Sequence, residues 1–195
     1  VLQASPDRVE PACSHFGTCA GCRMQHLPPE AQITFKQDVL AGQFARIGRV
    51  EPEQWLAPLT SDVWGYRRKA RLAVKMVPKK GGVLVGFRER YSPYVAQLDS
   101  CAVLDPRVGE RLADLAALIE SLSIPRQIPQ IEVALGDDEA AALVFRNLAP
   151  LSASDRDALT RFGQEHGFQI YEQPGNEQTV KPVWPEAPRL SYSLS

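Results

Sequence analysis

The chain has 195 residues, 44% of them apolar, and a formal net charge of −1. That is enough apolar material for one substantial domain or two small ones, so a core can form without disulfide staples. The overall charge gives no nucleic-acid signal, and no run of residues is long and apolar enough to read as a membrane span.

Residues 1–28 read as irregular. Three of the four cysteines lie here, Cys13, Cys19 and Cys22, in a C-x5-C-x2-C spacing, and the fourth, Cys101, stands far downstream. Thiolates are soft ligands that select zinc, copper(I) or iron–sulfur centres. A tight trio with one distant partner fits a four-thiolate [4Fe–4S] site closed by a long loop. A structural zinc site of four cysteines is the second reading, although zinc motifs usually come as two CxxC-like pairs and here one half is a lone cysteine. Two disulfides are the third. Gly17 and Gly21 let the loop fold around a centre with N–H groups turned towards sulfur. His15 and His26 flank the trio; four cysteines already complete a ligand set, so both are expected to be surface or cap residues.

After Pro28 and Pro29, Glu30 to Ile47 reads as a helix that stops at Gly48, with Ile33, Leu40, Phe44 and Ile47 as an apolar stripe expected to face a core. Arg49 to Gly65 is a connector containing Pro52, Pro58, Trp55 and Trp64. A hairpin follows: Tyr66–Val77, a turn over Pro78–Gly82, and a return over Val83–Arg90. The period of two puts Arg67, Lys69, Arg71 and Lys75 on one face, with Leu72, Val74 and Met76 opposite. Between Tyr66 and Arg90 there are nine basic residues and one acid, whereas Asp105 to Glu177 holds thirteen acids and six arginines. A basic face on a neutral chain suits an anionic partner. A charged edge that blocks strand pairing suits the same residues. Tyr94–Leu98 reads as a third strand leading to Cys101, which couples the cysteine site to the basic face.

Pro106–Leu122 is expected to be a helix burying Val108, Leu112, Leu115, Ile119 and Leu122. Ile131–Leu135 and Ala141–Phe145 read as a second hairpin around Gly136–Glu139. Ser152 or Ser154 caps a helix ending near His166, with Gly167 at its C′ position. A strand over Phe168–Glu172, a polar loop over Pro174–Pro188 and a final strand complete the pattern. The fold class is α+β, mainly antiparallel sheet with flanking helices and a Cys-rich metal-binding loop. No glycine-rich phosphate loop, H-E-x-x-H or G-x-S-x-G is present. Asp137, Asp138 and Glu139 read as a solvated turn before a metal site, and His166 as a residue compatible with a helix C-terminus. If all four cysteines bind metal, no thiol is left as a nucleophile, and no catalytic residue is read in this stretch.

Several segments resemble a known family. They are the cysteine loop with Phe16-Gly17, Gly21 and Gln25-His26, then Trp64-Gly-Tyr66-Arg-Arg-Lys-Ala-Arg71, Gly86-Phe87-Arg88 and Asp99-Ser-Cys101. In order, they are similar to the RNA uracil-5-methyltransferases, above all the bacterial enzymes of 23S ribosomal RNA. The resemblance implies a central iron–sulfur domain between an RNA-binding TRAM barrel and a Rossmann-like methyltransferase domain that binds S-adenosylmethionine. Val1 in place of Met, and an alternating end over residues 188–195, read as cut ends. The implied division is residues 1–28 as cluster loop, 29–60 as helix and connector packed on the catalytic domain, and 61–195 as the central α+β domain. Cys13, Cys19, Cys22 and Cys101 are then the cluster ligands, with a structural role; a zinc-stabilised nucleic-acid-binding module or a redox-sensing iron–sulfur protein without methyltransferase activity is the alternative reading. Arg71 is expected near the target nucleotide. Arg67, Lys69, Lys75 and Arg88 would meet RNA, Tyr66 would stack a base, and Phe87 would pack. The implied partner is 23S ribosomal RNA, and the implied setting a cytoplasmic monomer with no membrane contact.

Overall fold

The computed structural model describes residues 3–137 and 140–193. Six strands form one sheet: β1 (Lys69–Val77), β2 (Gly82–Gly86), β3 (Gln130–Leu135), β4 (Ala141–Arg146), β5 (Phe168–Gln173) and β6 (Lys181–Trp184). Their order across the sheet is β2-β1-β3-β4-β5-β6. All neighbours are antiparallel except β4 and β5, which run parallel. The parallel pair needs a crossover, and α4 (Ala153–His166) supplies it.

Alternation decides which side is dry. Leu72 and Val74 of β1, Val83 and Val85 of β2, Ile131 and Val133 of β3, and Leu143 and Phe145 of β4 all point into one core. Against them lie α3 (Leu112–Ser121), through Leu112, Leu115 and Ile119, and α4, through Leu159 and Phe162. Burying a side chain of this size contributes about 1.5–3 kcal/mol, so this face holds most of the apolar stabilisation. On the other face of the sheet Lys69, Arg71 and Lys75 stand exposed.

The helix expected over 106–122 is interrupted. A single turn, α2 (Pro106–Gly109), is followed by a break at Glu110–Arg111, where Arg111 has φ −119° and ψ 19°. The cause is the Gly109 carbonyl, which accepts the Cys101 N–H at 2.8 Å instead of continuing the helical ladder. A Cβ at Gly109 would sit 2.4 Å from the Cys101 carbonyl oxygen, so only glycine fits this approach. The apolar stripe survives the break because Val108 and Leu112 are both fully buried.

Other boundaries differ from expectation. Residues 94–98 form no strand; Val95 makes one isolated bridge to Arg88. The polar loop after Pro174 contains a short 3-10 turn (Glu177–Thr179) and then β6. Pro182 sits in β6, an edge strand where a missing N–H is tolerated. The final strand is absent over 190–193, where the Asp137 N–H donates to the Ser191 carbonyl; residues 194 and 195 lie outside the described residues, as do Asp138 and Glu139 of the second hairpin turn. The first helix forms as α1 (Pro29–Gln43) and ends in a π turn over Phe44–Gly48, but it has no buried residue. Its expected core-facing stripe is instead largely open: Leu40, Phe44 and Ile47 are all exposed, Ile47 at 80%.

α4 begins with the predicted cap. Ser152 Oγ accepts the Asp155 N–H, and the Asp155 carboxylate accepts the Ser152 N–H. Gly167 ends it at φ 72°. Asp155 is buried and also accepts from the Ser123 N–H and hydroxyl at 2.7 and 2.6 Å, which ties the end of α3 to the start of α4. Burial raises the carboxyl's pKa, and the bonds from Ser123 and Ser152 outweigh it, holding the value at about 2. A depressed carboxylate stabilises the fold fully above its ordinary value of 3.8 and loses that contribution as pH falls towards 2. Asp155→Ala removes the cap and leaves the Ser123 N–H unpaired. We expect about 2 kcal/mol of destabilisation in urea titrations at pH 7, shrinking as the pH drops below 4; a loss independent of pH would show that the charge is not involved.

Candidate metal centre and basic face

The four cysteines, 79 residues apart in sequence between Cys22 and Cys101 (101 − 22), line one small recess together with His15, Phe16, Gln25, Phe87 and Leu98. All four thiols are free and half-buried. The loop is shaped by local hydrogen bonds. Phe16 N–H donates to the Cys13 carbonyl, and Thr18 and Cys19 N–H both donate to the His15 carbonyl. Gln25 Oε1 accepts the Cys13 N–H at 3.1 Å. Gly21 N–H points at Cys19 Sγ, 3.3 Å away, and a Cβ at Gly21 would press on both that sulfur and the Phe87 ring. His15 is not placed as a fifth ligand: its Nε2 accepts the Asp99 N–H at 3.4 Å. His26 stacks obliquely on Phe16.

The loop is held against the chain that leaves β2. Ala20 N–H donates to the Arg88 carbonyl at 2.9 Å, and Arg90 N–H to the Thr18 carbonyl at 2.7 Å. The other edge of the same segment pairs with 94–96, through Glu89 N–H to Tyr94 and Ala96 N–H to Phe87. From there the chain reaches Cys101. Arg90, which the sequence showed only as one of the hairpin's basic residues, organises the loop. Its guanidinium donates to the Cys22 carbonyl at 2.8 Å and lies over the Phe16 ring, 5.0 Å from its centre. No sequence signal separated it from its basic neighbours.

Burial raises the Cys19 and Cys101 thiol pKa values, and the nearby thiols raise them further against partial relief from backbone N–H groups. Bringing four thiolates together therefore requires positive charge in the recess. Among the described residues, no group of three or more His, Cys, Asp or Glu side chains is close enough to hold a single metal ion. The thiols share a recess without converging on one point.

The residues expected on the basic face divide in two. Lys69, Lys75 and Arg88 are exposed and, among the described residues, have no ion-pair partner. Arg71 is exposed but paired, its Nη2 2.9 Å from Glu132 Oε1 on β3. Arg67 precedes β1, half-buried, with its guanidinium over Phe87, 5.4 Å from the ring centre. Phe87 packs, as expected, between that guanidinium and the cysteine recess. Tyr66 is half-exposed at the entry to the strand. Arg68 pairs with Asp137 and Lys80 with Glu89, so part of the hairpin's charge is neutralised locally.

Along its full length the chain is 60% identical to the 23S rRNA (uracil(1939)-C(5))-methyltransferase RlmD of Alkalilimnicola ehrlichii, covering 44% of that protein. It is 55% identical over 99% of its length to the enzyme of the same name from Nitrosococcus oceani, covering 43% of it. Its similarity is to less than half of a uracil-C5 RNA methyltransferase. The chain thus spans under half the length of the curated relatives it matches. No protein-family model matches it. The fold is similar to part of the Pyrococcus abyssi tRNA (uracil-54, C5)-methyltransferase, crystallised with S-adenosyl-L-homocysteine, with TM-score 0.58 and 22% identity over 91% of this chain and 40% of that one. At that identity the likeness is one of fold, and it extends to the α+β sheet with its flanking helices. Among the described residues no helix is long and apolar enough to cross a membrane.

Arg90→Gln should loosen the cysteine loop selectively. In hydrogen exchange, protection at Cys19 and Ala20 is expected to fall by about tenfold, the worth of one charged hydrogen bond, while amides of β3 and β4 stay unchanged. Unchanged protection at both loop amides would show that Arg90 does not hold the loop.

Proposed function

We propose that this chain is the iron–sulfur-bearing, RNA-binding part of an S-adenosylmethionine-dependent enzyme that forms 5-methyluridine in 23S ribosomal RNA. The observation that carries the reading is the convergence of Cys13, Cys19, Cys22 and Cys101 on one recess, joined by a four-residue segment to a hairpin with unpaired lysines. Full-length identity to enzymes named for that reaction supports it. On this reading residues 1–28 are the cluster loop, 61–195 are the central domain, and 29–60 pack on a catalytic domain. The open stripe of α1 and the exposed Leu56 and Leu59 support that last assignment. The protein acts as a cytoplasmic monomer, and S-adenosylmethionine is bound by the part of the enzyme beyond this chain.

The four cysteines would hold a [4Fe–4S] cluster. The spacing favours a polynuclear core over a single zinc, because a trio with one distant cysteine is not the two CxxC-like pairs of a zinc site. Such a core supplies the positive charge that the thiolates need, and its role is to pin the loop to the segment ending at Cys101. The hairpin does the binding. Lys69, Lys75 and Arg88 meet phosphates, which positions the strand without reading it. Tyr66 offers a ring for an unstacked base. Arg71 exchanges Glu132 for RNA near the target nucleotide; an exposed pair of this kind holds at most about 1 kcal/mol. The target base must leave its stack for chemistry at its ring, so the grip on flanking phosphates stabilises the opened strand.

Arg71→Ala in the full-length protein is expected to lower methyl transfer to 23S ribosomal RNA by about tenfold or more, with thermal stability nearly unchanged. Normal turnover would remove Arg71 from the site. Lys75→Gln is expected to weaken RNA binding whatever the sequence and to flatten its salt dependence by about one unit of slope.

A further inference from the structure

On the face of the sheet away from α3 and α4, a polar recess of about 380 Å³ opens beside Arg71. That volume falls in the ~300–1,000 Å³ range of small-molecule sites. Strand register builds its floor: Arg71 pairs with Glu132, and Gln130 with Arg146, which neighbours Gln173. The 3-10 turn after β5 raises one wall and brings Gln178 over the floor. Asn176 Oδ1 takes the Gln178 N–H and fixes that wall.

The floor contains a carboxamide that no described side chain engages. Gln173 is 6% exposed, and its backbone N–H is taken by Asn147 Oδ1. Its carboxamide lines the recess, and no described group donates to it or accepts from it. Its amide atoms open to the recess, so they can pair with a ligand that offers one donor and one acceptor together. Gln178 adds a second free carboxamide. Gln130 is only partly engaged, since its Nε2 donates to Glu132 and its oxygen faces no donor. Arg146 is exposed and has no ion-pair partner among the described residues.

Charge selects the class of ligand. Arg71 and Arg146 are balanced by Glu132 and Glu177 around the same recess, so it is not built for a bare phosphate. Paired donors and acceptors on carboxamides match the edge of a nucleobase, and a carboxamide reads adenine at N6 and N7. We propose that this recess holds one unstacked adenine of the bound RNA strand, its edge read by Gln173 and Gln178 and its adjoining phosphate met by Arg146. The proposal rests on the RNA-binding reading and adds a sequence-reading site to a hairpin that otherwise contacts phosphates.

The test compares an oligouridine strand with the same strand carrying one central adenosine, titrated by fluorescence anisotropy against the chain. The parent is expected to prefer the adenosine strand by about tenfold. Gln178→Ala, on the exposed wall, and Gln173→Leu should each erase most of that preference while binding of the plain strand persists. Lys75→Gln should weaken both strands equally. Equal binding of the two strands by the parent, or a preference that survives both glutamine variants, overturns the recess and leaves the basic face standing. Failure of the parent to bind either strand overturns both.

Discussion

The structure depends on one short ladder. Residues 87–90 leave β2 with their backbone paired on both edges, to Thr18 and Ala20 on one side and to Tyr94 and Ala96 on the other. That arrangement brings two distant pieces of sequence to the same place. The Cys19 segment arrives along one edge, and the other edge feeds the chain towards Cys101. Beyond it, Gly109 catches the Cys101 N–H and in doing so breaks the helix that sequence periodicity drew as continuous. The local helical bond lost at Gly109 is replaced by a long-range one, so the satisfied carbonyl costs little while the position of the fourth cysteine is fixed.

The basic face follows from the same strands. β1 alternates apolar and charged residues because one side joins the core shared with α3 and α4 and the other is open at Lys69, Arg71 and Lys75. Charges on that open side are graded by their partners. Arg68, Arg71 and Lys80 are held by acids, whereas Lys69, Lys75 and Arg88 have no ion-pair partner among the described residues. Arg67 and Arg90 have turned inward onto Phe87 and Phe16, where cation–π contact stiffens the wall of the cysteine recess. Basic residues that look alike in the sequence thus divide between an open face and the wall of the cysteine recess.

Local patterning was legible where it was strong. The Ser152 cap, Gly167, the buried stripe of α3 and the hairpin alternation were all readable from spacing, because each is enforced by a single turn of chain or a period of two. Features set by tertiary contact were not. The break at Glu110–Arg111 depends on Cys101, the parallel β4–β5 pair depends on α4, and β6 carries a proline that argues against a strand unless its edge position is known. The four cysteines could be grouped from spacing; they line one recess, and among the described residues they form no group close enough to hold a single metal ion. The polar recess beside Arg71 could not be read, because its floor comes from four strands. The stripe of α1 had the right period for burial, yet Leu40, Phe44 and Ile47 stay exposed, with only Trp55 against the Phe44 ring.

The central claim is that these four thiols hold a polynuclear centre that joins loop to sheet. The direct measurement is iron, zinc and acid-labile sulfide in anaerobically purified protein, with Cys101→Ser alongside. The account predicts about four irons and four sulfides per chain, lost in the variant. One zinc without sulfide, persisting after anaerobic reconstitution, would contradict it.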